Sequence, residues 1–264
     1  MRYCNIMLWN IENEIRSIFN LYESEEKLVN DSKEYWSRDY SKDTKIAQDA
    51  HWRGKGIFKD EHRWQNLGKE HFDLIYKHAS VLNLNFPLRK IIEWGCGGGA
   101  NAIHFASHTN EFIGIDITLE SLVECGRQIE NRGLKNFIPI LVDPIKPESV
   151  LKESIECGDL FLCTYVYELF PTPEYGLKIL KIAHGMLITG GVACIQIRYN
   201  DCRRKMYSKK WGYKINAYQM TTYTIEEFWN SALETGFEPV SIVLQPKQPL
   251  VNEQCYAYYF LKKK

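Results

Sequence analysis

From residue 88 onward, short apolar runs alternate with segments of helical periodicity, and this alternation constrains the fold more than any other feature. The apolar runs predict strands at 90–94, 112–115, 137–142, 160–163, 192–197, 239–244 and 255–261. Strands that are separated by helices form a mostly parallel sheet with helices on both faces. The sequence therefore predicts an α/β fold in which ligands bind beyond the carboxyl ends of the strands.

A glycine-rich turn, Gly95 to Gly99, follows the first predicted strand and precedes a helical pattern. Glycine lets the backbone approach a ligand closely, and a helix N-terminus presents free N–H groups to it. Asp116, after the second strand, suits the ribose of either a nicotinamide or an adenosyl cofactor. Glu93, just before the turn, and Asp143, after the third strand, favour the adenosyl cofactor.

The composition excludes several classes of protein. The 264 residues contain 33 basic and 33 acidic side chains, and this balance argues against a dedicated nucleic-acid binder. No apolar run approaches the roughly 20 residues that span a bilayer, and the N-terminus meets charge too early for a signal peptide. The eight cysteines form no CxxC pair, so neither a metal site nor a disulfide framework is predicted. We expect a cytoplasmic protein with buried free thiols.

The chain before the alternating region, residues 1–86, predicts a helical cap or lid over a cofactor-binding domain at 87–264. Residues 1–30 carry a rough apolar stripe, which suits a packing helix, a dimer contact or a cover for the substrate. Residues 33–64 are irregular and rich in aromatic side chains, which indicates a lid or a pocket wall. A further helix is predicted at 67–82.

Helices are also predicted between the strands, near 99–108, near 147–156 and from Thr172 to about Leu187, where the pair Gly190-Gly191 would end the helix. Thr172, followed by Pro173, is expected to cap the helix that begins there. Thr224 and Glu227 are expected to form a capping box for a helix that ends near Gly236.

Four segments resemble, in order and spacing, the motifs of class I S-adenosylmethionine-dependent methyltransferases. They are E-W-G-C-G-G-G at 93–99, G-I-D-I-T at 114–118, L-V-D-P at 141–144 and D-L-F-L-C-T-Y-V-Y-E-L-F-P at 159–171. The resemblance covers roughly residues 64–262. It implies a Rossmann-like, seven-stranded, mostly parallel sheet with an antiparallel last strand, and S-adenosylmethionine as the cofactor.

The resemblance also implies a cofactor role for ten residues. These are Glu93, Gly95, Cys96 and Gly97 around the methionine portion, Asp116 at the ribose, Ile117, Asp143 and Pro144 at the adenine, and Thr164 and Tyr165 after the fourth strand. Many relatives carry a histidine soon after that strand, whereas this chain has Val166-Tyr167-Glu168-Leu169. A non-catalytic cofactor-binding scaffold therefore stays open, and a nicotinamide oxidoreductase is a further alternative.

Methyl transfer to oxygen can use a general base. Glu168, His71 and Tyr199 are the candidates, although each could instead have a structural role. An acceptor that is already ionised would need no base.

The stretch from Arg198 to Lys214 carries seven basic residues and one acidic residue, interleaved with aromatic side chains. Guanidinium groups bind phosphate, and aromatic rings stack on bases or sugars. We therefore predict that Arg198 and Trp211 bind a small-molecule acceptor, together with Tyr167, which faces the same crevice after the fourth strand. The acceptor would be a sugar-derived, phosphorylated or nucleotide-linked metabolite. The alternatives are a solvated basic loop, an RNA or protein methyltransferase, and, for assembly, a homodimer.

Overall fold

The computed structural model describes residues 15–37 except 17 and 20, and then 52–152, 154–200, 207–250 and 253–264. Seven strands form one sheet in the order β3-β2-β1-β4-β5-β7-β6. They are β1 (Leu88–Trp94), β2 (Thr109–Asp116), β3 (Phe137–Leu141), β4 (Gly158–Cys163), β5 (Leu187–Arg198), β6 (Phe237–Gln248) and β7 (Glu253–Lys263). Strands β1 to β5 are parallel, and β7 runs antiparallel between β5 and β6. The predicted Rossmann-like sheet with an antiparallel last strand is confirmed.

Seven α-helices lie in the described part of the chain. They are α1 (Glu25–Trp36), α2 (Glu61–Leu82), α3 (Ala102–Phe105), α4 (Leu119–Glu130), α5 (Pro173–Met186), α6 (Tyr213–Asn216) and α7 (Ile225–Thr235). The predicted caps of α5 and α7 are present, because Thr172 accepts from the N–H of Tyr175 and Thr224 forms a capping box with Glu227. None of the described helices combines the length and hydropathy needed to cross a membrane.

Three helix predictions need correction. The segment predicted as a helix near 147–156 forms only a 3-10 turn, Pro147–Lys152. The helix expected over 99–108 is shorter, because α3 ends at Phe105 and a 3-10 turn follows it. Residues 21–24 interrupt the helix expected over 1–30, and α1 begins only after its N-cap, Ser24. Residues 1–14 of that prediction lie outside the described residues.

The two faces of the sheet are covered by different helices. Neighbouring residues of a strand point to opposite faces, so Ile91 packs with α2, α3 and α4, whereas Ile92 packs with α5 and α7. Both side chains are fully buried. This two-sided core holds the carboxyl ends of β1 to β5 at one edge of the sheet.

The helices before β1 pack in two different places. Helix α2 belongs to the core on one face of the sheet and closely approaches the turn after β1, since a Cβ on Gly68 would lie 1.8 Å from the Ala100 carbonyl oxygen. Helix α1 packs against α6 through Leu28 and Tyr35. The division at residue 86 between cap and domain stays a prediction.

Candidate functional site

A cavity lies at the carboxyl ends of β1, β2 and β4, where α1, α2 and α6 add further walls. This is the edge at which parallel α/β sheets bind ligands. Nine of the ten residues predicted to contact the cofactor line it, namely Glu93, Gly95, Cys96, Gly97, Asp116, Ile117, Pro144, Thr164 and Tyr165. The topology therefore brings residues from four separate motifs to one cavity.

The glycine turn after β1 is tightly enclosed. Gly95 has a φ of 73°, and its N–H donates to the carbonyl oxygen of Ile115 in β2 at 2.8 Å. A Cβ on Gly95 would lie 2.4 Å from Cγ2 of Val166. Only glycine accommodates both the left-handed backbone and this contact, so the turn is a close-fitting cradle at the cavity.

Glu93 is a buried carboxylate with one unsatisfied oxygen. Its Oε1 accepts a hydrogen bond from Nδ2 of Asn101 at 2.6 Å, whereas its buried Oε2 has no partner among the described residues. Burial raises the pKa of Glu93 to about 8, and the Asn101 hydrogen bond opposes that rise. Because Glu93 lines the cavity, a cationic or N–H-bearing group bound there would satisfy the free oxygen.

Asp116, at the end of β2, is held in one orientation by the neighbouring backbone. Its Oδ2 accepts from the N–H of Gly97 at 3.0 Å, and its Oδ1 accepts from the N–H and the hydroxyl of Thr118 at 3.0 and 3.1 Å. Burial raises the pKa of Asp116, and these hydrogen bonds act in the opposite direction. The carboxylate is thus positioned at the cavity and tied directly to the glycine turn.

His71 lies at the centre of a buried polar network. Asn101 uses its amide nitrogen to donate to Glu93 and Thr164, so its Oδ1 accepts from Nδ1 of His71 at 2.7 Å. Nε2 of His71 lies 3.2 Å from the hydroxyl of Tyr258 on β7. Burial lowers the pKa of His71 to about 4, so the ring is neutral at pH 7. His71 lines the cavity with both ring nitrogens engaged, and its role as a base stays a prediction.

The two other candidate bases do not line the cavity. Glu168 is buried, accepts from the Tyr256 hydroxyl at 3.0 Å and leaves its buried Oε2 without a partner in the described part of the chain. Burial raises the pKa of Glu168 to about 7. Tyr256 stacks edge-on against Tyr165, which does line the cavity. Tyr199 forms an isolated bridge beside the end of β5, and its catalytic role stays a prediction.

The structure does not bring the predicted acceptor-binding residues to the cavity. The guanidinium of Arg198 donates to the Tyr218 carbonyl oxygen at 3.0 Å and to Glu253 at 2.9 Å. Trp211 is nearly buried, and the guanidinium carbon of Arg16 lies 4.2 Å from its ring centroid. Residues 201–206 of the same basic stretch lie outside the described residues.

Two further predicted contacts also lie outside the cavity lining. Tyr167 is fully buried, and its hydroxyl donates to the carbonyl oxygen of Gly176 at 2.9 Å, so it is a core residue. Asp143 is exposed and forms an ion pair with Lys33 of α1 at 3.0 Å. Its neighbour Pro144 reaches the cavity instead.

Several lining residues were not singled out from the sequence. Asn101 carried no signal, because a polar residue at the start of a helix is ordinary. Trp36 and Trp52 belong to the aromatic segment predicted as a lid or wall, and both line the cavity. Leu67, which was predicted to pack inward from a helix, and Tyr213, an aromatic residue of the basic stretch 198–214, line it as well.

A seven-stranded sheet of this order, with a glycine cradle after β1 and carboxylates at two strand ends, is the fold of class I S-adenosylmethionine-dependent methyltransferases, and the predicted resemblance is confirmed. Similar solved structures include a SAM-dependent methyltransferase from Methanosarcina mazei, with a TM-score of 0.55, 15% identity, and coverage of 70% of this chain and 96% of that one. Another, from Clostridium acetobutylicum, has a TM-score of 0.55 and 14% identity, covering 77% and 92%. The N-methyltransferase NodS from Bradyrhizobium japonicum has a TM-score of 0.52 and 17% identity, covering 74% and 96%.

A curated relative is also similar in sequence. It is a ubiquinone biosynthesis O-methyltransferase from Chromobacterium violaceum, 29% identical over 149 residues. The match covers 56% of this chain and 58% of the relative, so the chain spans little more than half the length of that relative. No protein-family model matches the chain.

Proposed function

We propose that the protein is an S-adenosylmethionine-dependent methyltransferase that acts on a small molecule. One observation carries the proposal: a buried carboxylate oxygen of Glu93, unpartnered among the described residues, lies at a cavity whose adjoining glycine turn has no room for a side chain. A ligand with a cationic amino acid portion complements both features. The fold and the names of the similar proteins support the same activity.

The lining residues match the parts of the cofactor. Oε2 of Glu93 would accept from the ammonium group, and the turn at Gly95 and Gly97 would lie against the methionine portion. Asp116, already oriented by Gly97 and Thr118, would accept from the ribose hydroxyls. Ile117 and Pro144 would pack on the adenine. The site thus supplies an anion at the ammonium end, acceptors at the ribose and apolar contacts at the base.

Bound S-adenosylmethionine would supply a methyl group to an acceptor oxygen that lies in line with the carbon–sulfur bond; that bond would break to leave S-adenosylhomocysteine, and the proton of the acceptor would pass to a base or to water. Positioning therefore provides much of the rate, and the cavity walls would hold the acceptor and exclude water. We propose an oxygen acceptor, because the curated relative is named as an O-methyltransferase. A sugar-derived or phosphorylated acceptor loses the support of Arg198 and Trp211, which lie outside the lining. A homodimer and a cytoplasmic location stay predictions.

Ligand-induced stabilisation tests the cofactor assignment. A ligand at 100 times its Kd adds about 2.7 kcal/mol to the free energy of unfolding, which corresponds to roughly 5–10 °C in Tm. We expect S-adenosylhomocysteine to produce such a shift, Asp116→Ala to abolish it, and Asp73→Ala, which removes an exposed carboxylate on α2, to retain it. A shift with NAD instead, or an unchanged shift in Asp116→Ala, would refute the assignment. Asp143→Ala, measured alongside, decides whether Asp143 contacts the adenine.

Transfer of a labelled methyl group separates an enzyme from a scaffold. Incubation with labelled cofactor and a pool of small molecules should label a small-molecule product. Label in RNA or protein alone would support the alternative acceptor classes, and binding without any transfer would support a scaffold.

A further inference from the structure

Apolar and aromatic side chains from α1, α2, α6 and the loops line the cavity beside the predicted cofactor residues. Among them are Trp36, Trp52, Leu67, Leu169 and Tyr213. Tyr165 joins them from the segment after β4, although the resemblance implies a cofactor role for it. We propose that these six side chains form the acceptor subsite, and that the acceptor is a flat, largely apolar molecule such as an alkyl-substituted phenol. This inference rests on the proposed function.

The first group of side chains joins α1, α6 and the segment after β4. Nε1 of Trp36 donates to the Tyr213 hydroxyl at 2.8 Å, and that hydroxyl donates to the Leu169 carbonyl oxygen at 2.7 Å. Tyr35 packs edge-on against both rings and holds them in place. Because the polar atoms of Trp36 and Tyr213 are bonded to one another, the two rings present apolar surface to the cavity.

The second group lies directly on the cofactor cradle. A Cβ on Gly98 would lie 3.0 Å from Cδ1 of Trp52, so this indole packs against the glycine turn. Leu67 of α2 and Tyr165 belong to one cluster of buried side chains, and both line the same cavity as Trp52. A molecule held by this group is therefore adjacent to the turn that is proposed to hold the methyl donor.

The charges at the cavity disfavour a phosphorylated acceptor. Glu93 and Asp116 are carboxylates, and His71 is a neutral imidazole. No lysine or arginine is among the described lining residues, so an anion in this cavity would leave water without gaining a cationic partner. Arg198, the predicted phosphate ligand, is instead bonded to Tyr218 and Glu253. Aromatic rings, in contrast, gain offset-stacked or edge-on contacts from the indole and phenol rings of the subsite.

Binding to the full chain saturated with S-adenosylhomocysteine tests the acceptor class. The probes are 4-propylphenol, phenyl phosphate as its anionic counterpart, and glucose 6-phosphate, each titrated by calorimetry. We expect 4-propylphenol to bind at least tenfold more tightly than either phosphate. Trp52→Ala should weaken phenol binding at least fivefold, and Trp52→Phe, which keeps an aromatic ring, should weaken it less. Tyr76→Ala, which removes an exposed ring elsewhere on α2, should leave the affinity unchanged.

Three outcomes would overturn the inference. The first is tighter binding of either phosphate than of 4-propylphenol, and the second is no measurable binding of 4-propylphenol. The third is an equal loss of affinity for 4-propylphenol and for S-adenosylhomocysteine in Trp52→Ala, which would assign Trp52 to the cofactor. The affinity for S-adenosylhomocysteine is measured first in every variant. If the unmodified chain binds S-adenosylhomocysteine but not 4-propylphenol, only the proposed acceptor class is refuted. If the unmodified chain does not bind S-adenosylhomocysteine, the proposed function itself is refuted.

Discussion

At Glu93, ionisation of one side chain is expected to have opposite effects on folding and on the proposed binding of the cofactor. Its pKa in the folded chain is about 8, against an ordinary value of 4.5, and each unit of pKa difference corresponds to about 1.4 kcal/mol. A folded-state pKa above the unfolded value means that the unfolded chain releases the proton first as pH rises. The contribution to stability is therefore complete below pH 4.5 and is lost as pH rises toward 8. A bound cation would offset this loss of stability at high pH, because it would stabilise the ionised carboxylate in the folded chain.

Glu93→Gln should separate these two effects. Without the ionisable group, the free energy of unfolding of the unliganded variant should fall less between pH 5 and pH 8.5 than that of the unmodified chain. Affinity for S-adenosylhomocysteine should fall by about tenfold or more at pH 8.5, since one charge-assisted hydrogen bond is worth about 1.5–3 kcal/mol. Urea unfolding and calorimetry measure the two quantities. Glu130→Gln, at an exposed position in α4, is the control. Parallel pH profiles for Glu93→Gln and the unmodified chain would contradict the expectation.

Individual residues differ in how far the sequence could place them. Glu93 and Asp116 were placed correctly at the cavity, because strand ends converge at one edge of a parallel sheet. Arg198 also ends a strand, but its side chain is bonded to Tyr218 and Glu253, which are 20 and 55 residues away. Local spacing carries no information about such partners. A strand-end position therefore predicts where the backbone lies, but not which neighbour a long side chain contacts.

Among the elements, the glycine turn packs closely against the segment after β4. A side chain at Gly95 would therefore be destabilising for two reasons. Its φ of 73° strains any side chain, and a Cβ would also lie 2.4 Å from Val166. Gly133, after α4, has a nearly identical φ of 75°, but a Cβ there would meet no atom of the described residues within 4 Å. Comparing substitutions at Gly95 and Gly133 therefore separates the effect of backbone strain from that of steric overlap with a neighbour.

Gly133→Ala should cost about 1 kcal/mol of stability from its backbone conformation alone. Gly95→Ala should cost about 1–3 kcal/mol more, because a methyl group is forced against Val166 in a packed site. Denaturant unfolding measures both. Adding Val166→Ala to Gly95→Ala should recover part of the difference, and a double-mutant cycle that shows no coupling between these positions would contradict the steric explanation.

The boundary between α5 and β5 shows where element prediction failed. The glycine pair at 190–191 was predicted to end the helix, but α5 ends at Met186 and β5 begins at Leu187. The pair lies inside the strand, at a break in register with β4, where Gly158 pairs with Leu187 and Leu160 pairs with Val192. Glycine suits both a helix end and a strand bulge, so local sequence could not distinguish them. The alternation itself was sufficient to predict every strand in the described part of the chain.

Across the whole molecule, the strand that comes last in sequence among the described strands, β7, is paired on both sides and lies next to the edge strand β6. β7 pairs along most of its length with β5 on one side and with β6 on the other, whereas β3 lies at the outer edge. Residues Tyr256 to Leu261 of β7 are all buried. Several side chains of β3 are exposed, which is consistent with weaker protection of that edge.

Hydrogen exchange should therefore rank the strands. We expect the amides of Tyr258, Tyr259 and Phe260 to exchange more slowly than those of Phe137, Ile138 and Ile140, by about an order of magnitude or more, because a buried strand that is paired on both sides opens only together with its neighbours. Exchange followed by mass spectrometry of the two peptides provides the comparison. Equal rates in the two strands would indicate that the sheet opens as one unit.

The position of β7 also affects how the chain folds during synthesis. β6 leaves the ribosome before β7, yet among the described strands it pairs with β7 alone, so a nascent chain carries an unpaired strand until residue 263 has emerged. The hydroxyl of Tyr258, on that same late strand, contacts His71 and accepts from Gln196. The polar network beneath the ligand cavity is thus assembled from residues whose synthesis is separated by 187 positions along the chain. A translating chain can build the glycine cradle early, but it completes the support of that cradle only when β7 docks.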